Sequence, residues 1–188
     1  ALLSAEVSFP NRPEWVARHP QTGDMYVTLT NNASRGRQGS EGANPANPRA
    51  PNPYGHIMRW TEEGADHAAT RFRWETFILA GDPKHANPAV RGNIKGDIFA
   101  SPDGLFIDPR GVMWVQTDVS PNVLLKDDHA IYGNNQMLAV DPVTREAKRF
   151  LTGPRGCEIT GGCMTPDGRT LFVNLQHPGE MGALGTDP

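Results

Sequence analysis

Apolar residues in this chain come in short bursts that alternate with polar ones, and stretches of helical period are short and poorly supported. Twenty glycines and seventeen prolines punctuate the bursts, so the pattern predicts an all-β chain with many turns. One pattern is written three times. Pro13-Glu14-Trp15-Val16-Ala17-Arg18-His19-Pro20, with Met25-Tyr26-Val27-Thr28-Leu29-Thr30 after it, is matched by Pro102-Asp103-Gly104-Leu105-Phe106-Ile107-Asp108-Pro109 with Met113-Trp114-Val115-Gln116-Thr117-Asp118. A third copy runs Thr160-Gly161-Gly162-Cys163-Met164-Thr165-Pro166-Asp167-Gly168 into Leu171-Phe172-Val173-Asn174-Leu175-Gln176. Proline fixes φ and glycine accepts positive φ in the intervening turns, so each copy predicts a β-hairpin.

Segments of a second kind lie between the copies. His56-Ile57-Met58-Arg59-Trp60 is predicted to face Phe72–Ile78, and Gln136-Met137-Leu138-Ala139-Val140 to face Ala147–Leu151. Inner hairpin followed by outer hairpin, then repeated, is the four-stranded blade of a β-propeller, whose repeat spans roughly 40–50 residues. The turn prolines Pro20, Pro109 and Pro166 are 89 and 57 residues apart, so long insertions, Asn31–Pro53 and Ala80–Ser101, lengthen the first unit. Binding loops and flexible insertions both fit segments of that kind. Residues 1–188 are expected to form a single partial propeller of about two and a half blades. A ring left open exposes two blade faces, so the chain is expected to be a fragment of a longer one, with self-association through those faces as one consequence.

Composition removes several function classes. The formal net charge is -3, and lysine and arginine are scattered through turns, so the basic stripe of a nucleic-acid binder is missing. No run approaches the roughly 18 apolar residues of a membrane helix. Cys157 and Cys163 lack the spacings of a zinc site; a local disulfide and two free strand thiols both remain open. There is no nucleophile elbow, phosphate-cradling glycine loop or dinucleotide fingerprint.

Candidate chemistry follows from the register of the repeat. Six residues before each turn proline stand Glu14, Asp103 and Thr160, with Glu158 two residues earlier on the last strand. The innermost strands of a propeller line its channel, so these carboxylates are expected to converge on one axial volume. Packed carboxylates repel unless cations or protons neutralise them, and oxygen-rich clusters suit calcium or another hard cation. The second strands end in matching register at Thr30, Asp118 and Gln176, of which Asp118 is the expected ligand. Arg12, two residues before Glu14, shares its face in an extended strand, where a planar guanidinium can take phosphate. Among the six histidines, His56 and His177 are the candidates for supporting roles.

At these residues the sequence resembles the PhoX-type secreted alkaline phosphatases. The matching segments are Asn11–Val16, Tyr26–Asn32, Asn52–Ile57, Phe77–Pro83, Pro102–Leu105, Gln116–Asp118 and Thr170–Glu180, and they correspond to the C-terminal part of such a protein. The resemblance implies a six-bladed propeller, periplasmic or secreted, that hydrolyses phosphate monoesters with calcium and iron. It assigns phosphate binding and catalysis to Arg12 and metal binding to Glu14; Asp103, Asp118 and Glu158 extend the metal set by repeat register. The family's iron-bridging cysteine belongs to an upstream region, and neither Cys157 nor Cys163 takes that role. A non-catalytic propeller that binds a ligand or protein, and a calcium-dependent lactonase, are the alternatives, since a fold does not fix a function.

Overall fold

Each predicted hairpin forms, because every burst of alternating residues buries one face against a neighbouring sheet. The computed structural model describes residues 12–178; Asn11 and the Gly179-Glu180 pair of the matching segments lie outside the described residues. The first sheet is an antiparallel meander of β1 (Pro13–Arg18), β2 (Met25–Leu29), β3 (His56–Glu62) and β4 (Phe72–Leu79). The second repeats that order with β6 (Pro102–Ile107), β7 (Met113–Thr117), β8 (Gln136–Val140) and β9 (Glu146–Thr152). A two-residue strand, β5 (Lys95–Gly96), pairs parallel with β9 at its outer edge. A third hairpin joins β10 (Glu158–Met164) to β11 (Leu171–Gln176). Helix is confined to 3-10 turns among the described residues, so the chain is nearly all-β.

The sheets are held face to face by apolar packing. Tyr26, Ile57 and Phe77 of the first sheet pack with Leu105, Val115 and Leu138 of the second, all essentially without exposure. Trp114 and Met137 pack in turn on Ile159 of the third hairpin. Each such side chain contributes about 1.5–3 kcal/mol on full burial, enough to fix the order of the sheets. The first strands therefore neighbour one another, with β6 touching both β1 and β10.

The two long insertions are pinned to the sheets. Arg49 is buried, and its guanidinium donates to the carbonyls of Ala80 (2.7 Å), Val90 (3.1 Å) and Gly55. One side chain thus ties the 31–53 insertion to the 80–101 insertion and to the start of β3. Arg145 staples the sheets from outside, donating to the Phe77 carbonyl (3.0 Å) and to Glu75 while lying over the Phe77 ring.

All three hairpins break register at the same place. The pairing slips between Pro13 and Val16, between Pro102 and Leu105, and between Thr160 and Gly162. One extra residue is inserted each time, opposite Thr28, Gln116 and Asn174. A bulge bends its strand and re-aims a side chain, and the bulges carry the aligned positions Glu14, Asp103 and Thr160.

Candidate functional site

The ends of the repeated strands meet through equivalent backbone rungs. The Thr30 N–H donates to the Arg12 carbonyl (3.1 Å), the Asp118 N–H donates to the Ser101 carbonyl (3.0 Å), and Glu158 faces Gln176. Arg12, Ser101 and Glu158 are therefore equivalent positions, as are Thr30, Asp118 and Gln176. Because β1, β6 and β10 are neighbours, these rungs and the bulges beside them are gathered at one end of the sheets.

Three carboxylates come together there. Single oxygens from Asp103, Asp118 and Glu158 all lie within 4.8 Å of one another. Asp103 is buried, whereas Asp118 and Glu158 are half-buried. Burial, then the charges of Glu14, Asp118 and Glu158, push the Asp103 carboxyl up to about 7, with Arg12 opposing them. Burial and the Asp118 charge also raise Glu158, against a hydrogen bond with Asp103 that favours its ionised form. Both carboxyls are thereby held back from ionising, Asp103 the more strongly. A group of like charges kept close and dry needs a proton or a cation.

Arg12 stands at the rim. Its Nε and Nη2 donate to one oxygen of Glu14 at 3.0 and 2.9 Å, and Nη2 lies 4.0 Å from Asp118. Its side chain is 64% exposed, so the guanidinium is oriented by Glu14 yet open to an anion in solution. Glu14 lies within electrostatic reach of Asp103 and Glu158 but outside the tight trio, paired instead with Arg12.

The other candidates have different surroundings. Thr160 pairs with Asn174 beside the third bulge. His56 is fully buried between Asn52 (3.0 Å) and the carbonyl of Ala46 (2.9 Å), and burial lowers its pKa to about 4, so its ring is neutral. His177 is exposed and in contact with Gln176. Cys157 is buried, Cys163 exposed, and both are free thiols.

Sequence reasoning passed over the groups that brace the site. Thr28, opposite the first bulge, accepts from the Trp15 N–H (3.0 Å) and donates across the sheets to the Asp103 carbonyl (2.5 Å). Ser101, two residues before Asp103, is buried in a left-handed conformation, φ 51°. Its serine sits where the other copies carry Arg12 and Glu158, and only the aligned rungs reveal that equivalence. Gln116 was visible as part of the Gln116-Thr117-Asp118 segment, without any sign of what its amide does.

As a donor set the trio is all oxygen, the chemistry that calcium prefers. The raised proton affinity of Asp103 is what a cation would replace. For iron the same residues offer carboxylate alone, and no histidine or thiol joins the trio among the described residues.

Comparison with known proteins places this arrangement in a lineage. No curated protein sequence matches. Among solved structures, "Pseudomonas fluorescens PhoX in complex with vanadate, a transition state analogue" superposes with a TM-score of 0.85 at 46% identity, covering 92% of this chain and 30% of that one. The chain therefore spans less than a third of that relative's length. The family described as "Alkaline phosphatase PhoX" matches residues 8–179. That match covers nearly the whole sequence, and the chain belongs to the PhoX alkaline phosphatase family.

Proposed function

We propose that this chain is the C-terminal part of a secreted or periplasmic alkaline phosphatase that hydrolyses phosphate monoesters with calcium and iron. On this reading the two sheets and third hairpin are about two and a half blades of a six-bladed propeller, in a protein longer than these 188 residues. The observation that carries it is the meeting of Arg12 with four carboxylates drawn from β1, β6, the end of β7 and β10. Family membership and the likeness to a relative bound to vanadate support a phosphoryl substrate.

Each residue then has a part. Asp103, Asp118 and Glu158 would hold calcium through carboxylate oxygens, with Glu14 as a further ligand at the rim, and iron would draw donors from elsewhere in the whole protein. When bound, the cations supply positive charge that polarises the phosphoryl oxygens. Arg12 binds the phosphate before reaction and holds the equatorial oxygens as their charge grows, which is where a preoriented guanidinium contributes most. Glu14 fixes the guanidinium by its two hydrogen bonds. A cation in the trio would favour the ionised form of Asp103 and so release protons on loading near neutral pH.

The test is hydrolysis of a chromogenic phosphate monoester by the full-length protein, before and after chelation. Activity abolished by chelator and restored by calcium supports the reading. Hydrolysis indifferent to chelator contradicts it, and turnover of a lactone in its place favours the lactonase alternative. Isolated residues 1–188 should be inactive. Exposed Phe172 and Leu175 on β11 would drive self-association of that piece, visible by light scattering.

A further inference from the structure

Among the described residues, three buried polar groups beside the site have unfinished bonding, the Thr30 and Ser101 hydroxyls and the Gln116 amide, and the amide alone leaves both a donor and an acceptor unmet. The Gln116 side chain has no exposure, and neither Nε2 nor Oε1 has a hydrogen-bond partner. Gln116 stands opposite the Asp103–Gly104 bulge. A Cβ at residue 104 would overlap its Oε1 and come within 3.1 Å of its own Cβ, so the amide rests directly on the bulge that carries Asp103. Native structures leave few buried polar groups unpaired, and each exception calls for an explanation.

The first copy of the repeat supplies one. Leu29 and Thr117 occupy equivalent rungs, opposite Pro13 and Pro102, which makes Thr28 the counterpart of Gln116. Thr28 uses its hydroxyl twice: it accepts the N–H of its own bulge, at Trp15, and donates to the carbonyl of the next sheet's bulge, at Asp103. Carried one copy forward, the same two bonds would join Gln116 Oε1 to the N–H of Gly104 and Gln116 Nε2 to the carbonyl of Thr160. The longer amide suits this rung, since it has a separate donor and acceptor where a hydroxyl must serve as both.

We propose that Gln116 is a positioning residue for the acidic trio, and that its amide completes these two bonds when a cation draws Asp103 and Glu158 together. Thr160 lies on the same strand as Glu158, two residues away. A bond from Gln116 to Thr160 would therefore tie the strand of Glu158 to the bulge of Asp103, as Thr28 ties β1 to that bulge. Cation binding and the docking of β10 on β6 become one event.

The inference rests on the proposed calcium site, and the experiment separates the two. Calcium is titrated calorimetrically into metal-stripped full-length protein and into Gln116→Met and Gln116→Thr, and hydrogen exchange is followed at the Gly104 amide. In the parent, calcium should slow exchange at Gly104 by at least about tenfold, in keeping with a new hydrogen bond. In Gln116→Met calcium affinity should fall about 10–100-fold, the range for groups that orient metal ligands, and Gly104 protection should vanish. Thermal stability without calcium should hold or rise, because methionine removes two unpaired buried atoms. Gln116→Thr offers one hydroxyl for both bonds, as Thr28 does in the first copy, and should lie between Gln116→Met and the parent. No calcium binding by the parent overturns both the site and this inference. Calcium binding by the parent with equal affinity and equal Gly104 protection in Gln116→Met overturns the role of Gln116 alone. Equal loss of stability with and without calcium would mark Gln116 as structural only, which also overturns it.

Discussion

Asp103 and Asp108 stand at opposite ends of one hairpin, both buried, and their surroundings push them in opposite directions. Asp108 is surrounded by donors: the Arg110 and Val112 N–H groups reach Oδ1 at 2.8 and 3.1 Å, and Arg110 Nη2 and the Trp114 indole reach Oδ2 at 2.9 and 3.3 Å. Those bonds, led by that of Arg110, hold its pKa below the ordinary carboxylate value against the opposing effect of burial. Asp103 has three carboxylates for neighbours and is pushed up to about 7. Burial alone does not distinguish a functional acid from a structural one; the sign of what surrounds it does. Asp108 is complete without a ligand, and Asp103 is complete only with a proton or a cation.

The largest expected effects fall on the unsatisfied end. Arg12→Ala in the full-length protein should lower kcat by about 10²–10³-fold, the scale for removing one preorganised charge-stabilising donor, with melting temperature unchanged because the side chain is mostly exposed. Asp103→Asn should abolish calcium-dependent activity while raising the melting temperature of the metal-free protein. If calorimetry instead shows metal-free Asp103→Asn to be destabilised, the contrast with Asp108 fails.

At the satisfied end the pattern should invert. Asp108→Ala strands several donors and should cost about 2–4 kcal/mol, roughly 5–15 °C in melting temperature at this size. Calcium affinity of the folded fraction should stay within about twofold, since no hydrogen bond from Asp108 reaches the trio.

The two aspartates should also respond oppositely to pH. Asp108 has a depressed pKa in the fold, so its stabilisation is present above the unfolded value and is lost as pH falls through the folded one. Asp103 has a raised pKa, so in metal-free protein its contribution is present below about 3.8 and is lost as pH rises toward about 7. Buried His56, lowered to about 4, makes stability rise with pH over the same window, so the readout is a difference: in melting curves from pH 4 to 8 the metal-free parent should lose stability relative to both Asp103→Asn and the calcium-saturated protein. The smallest effect belongs to Thr28→Val, which removes both hydrogen bonds of that hydroxyl, from Trp15 and to Asp103, and should cost about 1–2 kcal/mol, with a several-fold loss of calcium affinity.

Much of this was readable in the residues. The repeated Pro-turn-aromatic pattern announced the hairpins, and counting back from the turn prolines aligned Glu14 with Asp103 and placed Glu158 nearby. The count works because all three copies carry a bulge at the same point, which keeps their registers in step. Alternation was less informative beside the bulges. It put Arg12 and Glu14 on one face but gave no hint that Glu14 would pair with Arg12 and stay outside the trio. The loop anchors were not legible at all: Arg49 looked like one more basic residue in a proline-rich insertion, and only coordinates show its guanidinium on four backbone carbonyls. Thr28 escaped for a related reason, since its partners Trp15 and Asp103 belong to other segments of the chain.

The central claim is that acidic side chains from separate sheets form one cation site. A crystal structure of the full-length protein grown with calcium tests it most directly. The account predicts a calcium ion bounded by Asp103, Asp118 and Glu158 at roughly 2.3–2.6 Å from their oxygens. Three carboxylates bridged by water alone, with calcium bound elsewhere, would contradict it.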